Sequence, residues 1–397
     1  MAPAEAPASP SSPVAQSTTK ETFHLINAPG DAIHEALTGL TQHHPSLSYA
    51  PTHKIVYRSD LADFRRDHVT TIGFSGGGHE PMFGGFVGRS FLSAYVSGNV
   101  FASPTAAQIL EAIKLCQPLD GDNGDSHHQH QHPGTLVVCG NYTGDILNAG
   151  LAITRAQALG YRVAFVPVGD DVAVGRRKGG KVGRRGLSGH LVGLKVACGV
   201  AEREKGGVGY GLERVREVME WVVANVGTVG VAFDRVSLPT GTVAPVPLLP
   251  PDTIELGMGA HGEPGLQQIS PPPAPAKLVA QMIDLITNTD DEDRAFVPFP
   301  GGATPENPHR VVLALNSLGS TSDAVLAAFA ELAKEELARK NYVVERVLLG
   351  PLVTSLKMSG VGITVWRLPG DEEKSPLKRG EALDLWDGNV DVVAWRQ

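Results

Sequence analysis

The segment G-M-G-A-H-G-E-P-G, residues 257–265, sets one imidazole among glycines. Glycine takes positive φ without steric cost and lets a ligand approach the backbone, so His261 stands where a small molecule can reach it. A histidine held that way is a candidate nucleophile, general base or metal ligand. Taken alone, the pattern better describes a turn histidine on a Gly/Pro-rich loop. Two further segments add partners for it. Residues 73–81 read G-F-S-G-G-G-H-E-P and present His79; residues 140–145 read G-N-Y-T-G-D and present Asp145 directly after the apolar run 135–139.

These side chains need elements that bring them together. Residues 69–74, 135–139 and 162–168 read as short apolar strands, each followed by a Gly or Asp turn and then a helix-compatible stretch. That is the pattern of an α/β domain with a largely parallel sheet, and its turns fall at the carboxyl ends of the strands, where open α/β sheets bind ligands. Residues 212–226 read as a helix, 228–233 and 311–316 as strands, 323–340 as an amphipathic helix, and 343–349 and 362–367 as strands, so the second half is α/β too. The proline-rich stretches 245–251 and 271–275 read as loops, the polar residues 117–133 as a surface insertion, and the Ala/Pro/Ser-rich residues 1–20 as a disordered tail. A chain of 397 residues exceeds what one hydrophobic core usually supports. The expected division is a tail (1–20), an N-terminal α/β domain (21–205) and a C-terminal α/β domain (206–397) carrying His261.

The formal charge of −8 speaks against nucleic acid or an anionic membrane as partner. No stretch approaches the ~20 consecutive apolar residues that span a bilayer, and the N-terminus lacks the layout of a secretion signal, so a cytoplasmic protein is expected. Cys116, Cys139 and Cys198 have no C-x-x-C spacing and read as buried free thiols in a reducing compartment.

In order and spacing, segments 73–81, 140–145, 169–174 (G-D-D-V-A-V), 183–189 (G-R-R-G-L-S-G) and 257–265 resemble the substrate-binding K domain of the dihydroxyacetone (glycerone) kinases, from about Phe23 to Trp395. The resemblance implies two α/β domains with the ligand site at strand ends between them, and a homodimer. It implies that His261 adds through Nε2 to the ketone carbon of dihydroxyacetone to give a hemiaminal. A neutral imidazole is a competent nucleophile near neutral pH, and a carbonyl is electrophilic where the alcohol carbons of glycerol are not. By the same resemblance His79 hydrogen-bonds the triose and takes part in proton transfer, Asp145 accepts a hydrogen bond from the hydroxyl to be phosphorylated, and Gly76, Gly77 and Gly78 offer backbone N–H groups and space. Glu263 either orients the His261 ring or is merely solvated.

The chain departs from the family in three ways. Gly77 replaces the serine of G-G-G-S-G-H-E-P. Gly140 replaces a substrate-contacting lysine before N-Y-T-G-D. The L domain, which binds Mg-ATP through clustered aspartates, is not in this sequence. The expectation is a kinase component that binds a short ketose, with ATP and Mg²⁺ on a separate L-type partner protein and no metal on this chain. The alternative is a non-catalytic ketose-binding sensor or regulator. A metal-dependent hydrolase built on the His-rich stretch is a third reading.

Other motifs fail on chemistry. Residues 175–181 fit G-x-x-x-x-G-K, but Val182 stands where a P-loop needs a magnesium-binding hydroxyl, so a mobile basic loop is expected; with Arg184 and Arg185 it would steer an acidic partner or phosphates. Residues 120–125 only partly match a calcium loop, and the following His127, His128, His130 and His132 read as adventitious metal affinity. His79-Glu80 lacks the second histidine of H-E-x-x-H, because Phe83 occupies it.

Overall fold

The computed structural model describes residue 24 and residues 26–117, 133–180, 182–205, 208–239 and 249–396. The tail 1–20, the histidines and aspartates of 120–132, Lys181 and residues 245–248 lie outside the described residues.

The first sheet contains β1 (Leu47–Ala50), β2 (Ile55–Arg58), β3 (Thr70–Gly77), β4 (Ala94–Val100), β5 (Thr135–Gly140) and β6 (Val163–Val168), in the order β1-β2-β4-β3-β5-β6. Its β4, β3, β5 and β6 run parallel, as the alternation of strand-like and helix-like runs requires. A short pair, β7 (Glu204–Lys205) and β8 (Val208–Gly209), precedes the second sheet. That sheet contains β9 (Val226–Ala232), β10 (Ile254–Leu256), β11 (Gln267–Ile269), β12 (His309–Ser317), β13 (Tyr342–Gly350) and β14 (Gly360–Arg367), in the order β11-β10-β9-β14-β12-β13.

The second sheet is mainly antiparallel, with β12/β13 its parallel pair among the described strands. Crossover length accounts for this. A parallel neighbour needs a long return, usually a helix, and helix Asp323–Arg339 supplies one between β12 and β13. Residues 351–359 are too few for a second crossover, so β14 comes back antiparallel beside β12.

Helix Gly189–Glu202 is mostly apolar, with His190 and Lys195 its buried polar exceptions, and residues 189–201 are buried. It sits between the sheets, joining Val138 and Val166 of the first to Val226, Val312 and Trp366 of the second in one apolar cluster. Helices Ala106–Leu115 and Thr143–Ala158 cover the other face of the first sheet, and Pro275–Thr287 and Asp323–Arg339 that of the second. Three local readings change. Pro275 opens a helix at its first position, where a missing N–H costs nothing, instead of ending a loop. Gln117 is buried and donates to Ile113 O and Thr135 Oγ1, so it closes a helix and does not belong to the surface. Residues Arg176–Gly179 form one helical turn, with Arg176 donating to Glu292 O and Ala295 O and stacking on Phe296, so a basic turn pinned to its neighbours replaces the expected loose loop.

All three cysteines are buried free thiols. No helix among the described residues is long and apolar enough to cross a membrane.

Candidate active site

β3 and β5 are hydrogen-bonded neighbours in parallel register, Phe74 opposite Cys139, so the turns that follow them open side by side. After β3, Gly78 takes φ +97°, a conformation that suits glycine, and delivers His79. After β5, the chain passes Gly140 and enters helix Thr143–Ala158, whose first turn carries Asp145. The second sheet supplies the rest. The loop between β10 and β11 carries His261, and the loop between β13 and β14 carries Thr354.

His79 is 3% exposed, and its Nδ1 donates to the Thr354 carbonyl at 2.8 Å. His261 Nδ1 donates to Glu263 Oε1 at 2.8 Å, and its backbone N–H donates to Glu263 Oε2 at 2.9 Å. Glu263 therefore orients the ring. Burial alone would raise the Glu263 carboxyl, but the His261 hydrogen bonds and ring outweigh it and hold the carboxyl at about 2. Nε2 of His79 and Nε2 of His261 face each other at 3.1 Å. Both Nδ1 atoms point at oxygen acceptors and so carry hydrogen, which leaves one further proton to be shared between the two Nε2 atoms. Burial, reinforced by the neighbouring His261, lowers His79 to about 3. The Phe101 ring stacks on His79 at 4.8 Å, and Tyr142 meets the His261 ring edge-on at 5.0 Å.

Asp145 is 7% exposed and its Oδ1 has no hydrogen-bond partner. Burial raises its carboxyl to about 6 against the opposing pull of the Ser103 hydroxyl and of His261. His79, Asp145, His261, Gly76 and Gly140 line one cavity with about 350 Å³ of open space, part of it continuous with solvent. Gly77 and Gly78 do not line it, and the Gly78 N–H is already engaged by the Glu80 carboxylate at 3.0 Å. Of the three loop glycines expected to give the ligand room, only Gly76 borders that cavity.

The space beside Gly77 belongs to Ile33, whose Cδ1 would lie 2.2 Å from a Cβ there. Gly77→Ser will therefore lower stability by about 1–3 kcal/mol, the usual cost of overpacking, and adding Ile33→Ala will recover part of it; urea unfolding of the variants measures both.

Sequence reasoning missed the supports of the pair. Asn316 at the end of β12 accepts from Leu352 N (2.8 Å) and Val353 N (3.0 Å) and donates to Val353 O, which fixes the loop that presents Thr354 O to His79. A lone amide ending an apolar run was the available signal. Arg185, expected to help steer an acidic partner or phosphates, bonds the buried Asp171 and the Gly257 carbonyl of the His261 loop, each at 2.7 Å. Among the described residues no group of three or more His, Cys, Asp or Glu side chains is placed to hold a metal ion.

Fold and site together define a two-sheet α/β protein with a histidine pair between its sheets. The family model described as "Dak1 domain" matches residues 38–393. Dihydroxyacetone kinase 2 of Saccharomyces cerevisiae is 36% identical over 371 residues, 93% of this chain and 57% of that protein. Triokinase/FMN cyclase of Bos taurus is 36% identical over 94% of this chain and 57% of its own length. The crystal structure of the dihydroxyacetone kinase of C. freundii superposes with a TM-score of 0.75 at 29% identity, over 94% of this chain and 60% of the other. The chain belongs to the dihydroxyacetone kinase family. It spans a little under three fifths of the length of these curated relatives.

Proposed function

We propose that this chain is the triose-binding component of a dihydroxyacetone kinase, holding dihydroxyacetone on His261 while a terminal hydroxyl is phosphorylated by ATP. The observation that carries the reading is the 3.1 Å contact between the two Nε2 atoms beside a buried carboxylate. As the ketone carbon approaches, the proton shared between the two Nε2 atoms moves to His79, and the freed lone pair of His261 bonds to that carbon. The C=O π electrons move to oxygen, which takes the proton from His79 Nε2. His79 ends neutral, as it began, and the alkylated His261 ring keeps its positive charge paired with Glu263. Asp145 then accepts the proton of the terminal hydroxyl as phosphorus is transferred, the task a base within hydrogen-bond reach performs in phosphoryl transfer.

The donor is ATP with Mg²⁺, held by an L-type partner; the crystal structure of the dihydroxyacetone kinase from C. freundii in complex with AMP-PNP and Mg²⁺ supports this choice of donor. A buried carboxyl held at about 6 can take the hydroxyl proton during phosphoryl transfer, a task that a protein only sensing ketoses does not perform, which favours the kinase component over the sensor. Intact-protein mass spectrometry after incubation with dihydroxyacetone and rapid desalting tests the reading. A mass increase of one triose is expected, and glycerol will give none; an unchanged mass would overturn it.

A further inference from the structure

The cavity has one more polar group whose partner is missing. His190, in the first turn of helix Gly189–Glu202, is 1% exposed and lines the cavity together with His79, Asp145 and His261. Its Nδ1 lies 2.5 Å from the Leu187 carbonyl, so that nitrogen carries the hydrogen. Its Nε2 is buried and makes no well-formed hydrogen bond, although the Cys139 carbonyl lies near the ring. Burial lowers its pKa, although Asp170 and the carbonyls of Leu187 and Cys139 pull the other way, and the neutral ring holds a lone pair on Nε2.

Two glycines make room for the ring. A Cβ on Gly186 would lie 2.3 Å from the ring Cε1, and one on Gly140 would lie 3.3 Å from it. Phe83 meets the ring edge-on at 5.5 Å. The imidazole is thus set in one orientation by a carbonyl, an aromatic ring and two bare backbones. A buried acceptor with no partner costs free energy until a donor arrives.

We propose that His190 is a substrate-positioning residue whose Nε2 accepts a hydrogen bond from a hydroxyl of the bound triose. This rests on the triose-binding reading above and assigns the hydroxyl that is not phosphorylated to His190, leaving the other to Asp145. A site built around a hydroxyl discriminates strongly against an analogue that lacks it.

The test compares equilibrium binding of dihydroxyacetone and hydroxyacetone, which lacks one hydroxyl, to the whole chain and to His190→Phe and His190→Gln. The wild type will prefer dihydroxyacetone by roughly 10- to 100-fold. In His190→Phe that preference will fall below about threefold, whereas His190→Gln, which keeps an acceptor oxygen, will retain most of it. A folded His190→Phe protein with the wild-type preference overturns the proposal. Should that variant not fold, the ¹⁵N resonance of His190 Nε2 in the wild type decides: it will move when dihydroxyacetone saturates the site, and an unmoved resonance overturns the proposal. Failure of the wild type to bind either ketone defeats the triose-binding reading itself, and this inference with it; binding with an unchanged preference in His190→Phe defeats only the role of His190.

Discussion

His261→Ala will abolish the triose adduct. The cavity and its polar groups remain in this variant, so free dihydroxyacetone still diffuses in, but no nitrogen stands 3.1 Å from His79 Nε2 to bond the ketone carbon. His79 and His190 keep Nε2 lone pairs, but their Nδ1 atoms bond the Thr354 and Leu187 carbonyls, so neither has the carboxylate with which Glu263 pairs the positive charge of an alkylated His261 ring. The mass shift seen with the wild type will be absent, and partner-supported phosphorylation of dihydroxyacetone will fall at least about a hundredfold, the lower end of what a positioned catalytic group contributes. The fold is spared, because Glu263 keeps its hydrogen bond from the residue 261 backbone N–H and the loop stays anchored through Arg185 and the Gly257 carbonyl. Circular dichroism checks that last point. A wild-type-sized adduct on His261→Ala would show that the nucleophile lies elsewhere.

Asp145→Asn will separate capture from transfer. The carboxylate takes no part in bonding His261 to the ketone, so the adduct will form as in the wild type. Phosphorylation will fall by about 10²- to 10⁴-fold, because the amide is isosteric with the acid but cannot take the hydroxyl proton. The wild-type pH profile has a matching signature. Transfer needs the ionised carboxyl, whose value is held at about 6, so kcat will fall as pH drops through 6, and this limb will be missing in the variant. Stability will move the opposite way from activity. Because the native carboxyl titrates at about 6 and the ordinary one at 3.8, ionisation costs the folded state a penalty that grows between those values and is complete above pH 6. Asp145→Asn removes it, so the variant will be more stable than the wild type at pH 7, by at most about 3 kcal/mol, with no gain below pH 4. Denaturant unfolding at pH 4 and pH 7 measures the difference. An equal effect at both values would exclude the buried ionised carboxyl as its source.

The strands that carry His79 and Asp145 were legible because apolar runs and the turns that end them are local. The runs 69–74, 135–139 and 162–168 became β3, β5 and β6 within a few residues at each end, and 212–226 and 323–340 became helices. β1, β2, β10 and β11 escaped notice, since strands of three or four residues carry too little alternation to separate from loop. The antiparallel character of the second sheet escaped for a different reason. Periodicity tells which residues extend, and the length of each return tells which neighbour a strand can reach.

What the sequence by itself determined is the chemistry available and its local presentation: two histidines and an aspartate, each delivered by glycine-rich or polar turns whose backbone demands lie within a few bonds of the side chain. What only the tertiary structure decided is how those groups act on one another. His79 and His261 stand 182 residues apart and meet through side chains from different sheets. Thr354 O selects the His79 tautomer, Ile33 claims the space beside Gly77, and Gly140 and Gly186 leave room for the His190 ring. The raised carboxyl of Asp145 comes from burial contributed by many elements at once. Proton positions and desolvation depend on every group packed around a site, and that sum exists only once the chain has folded.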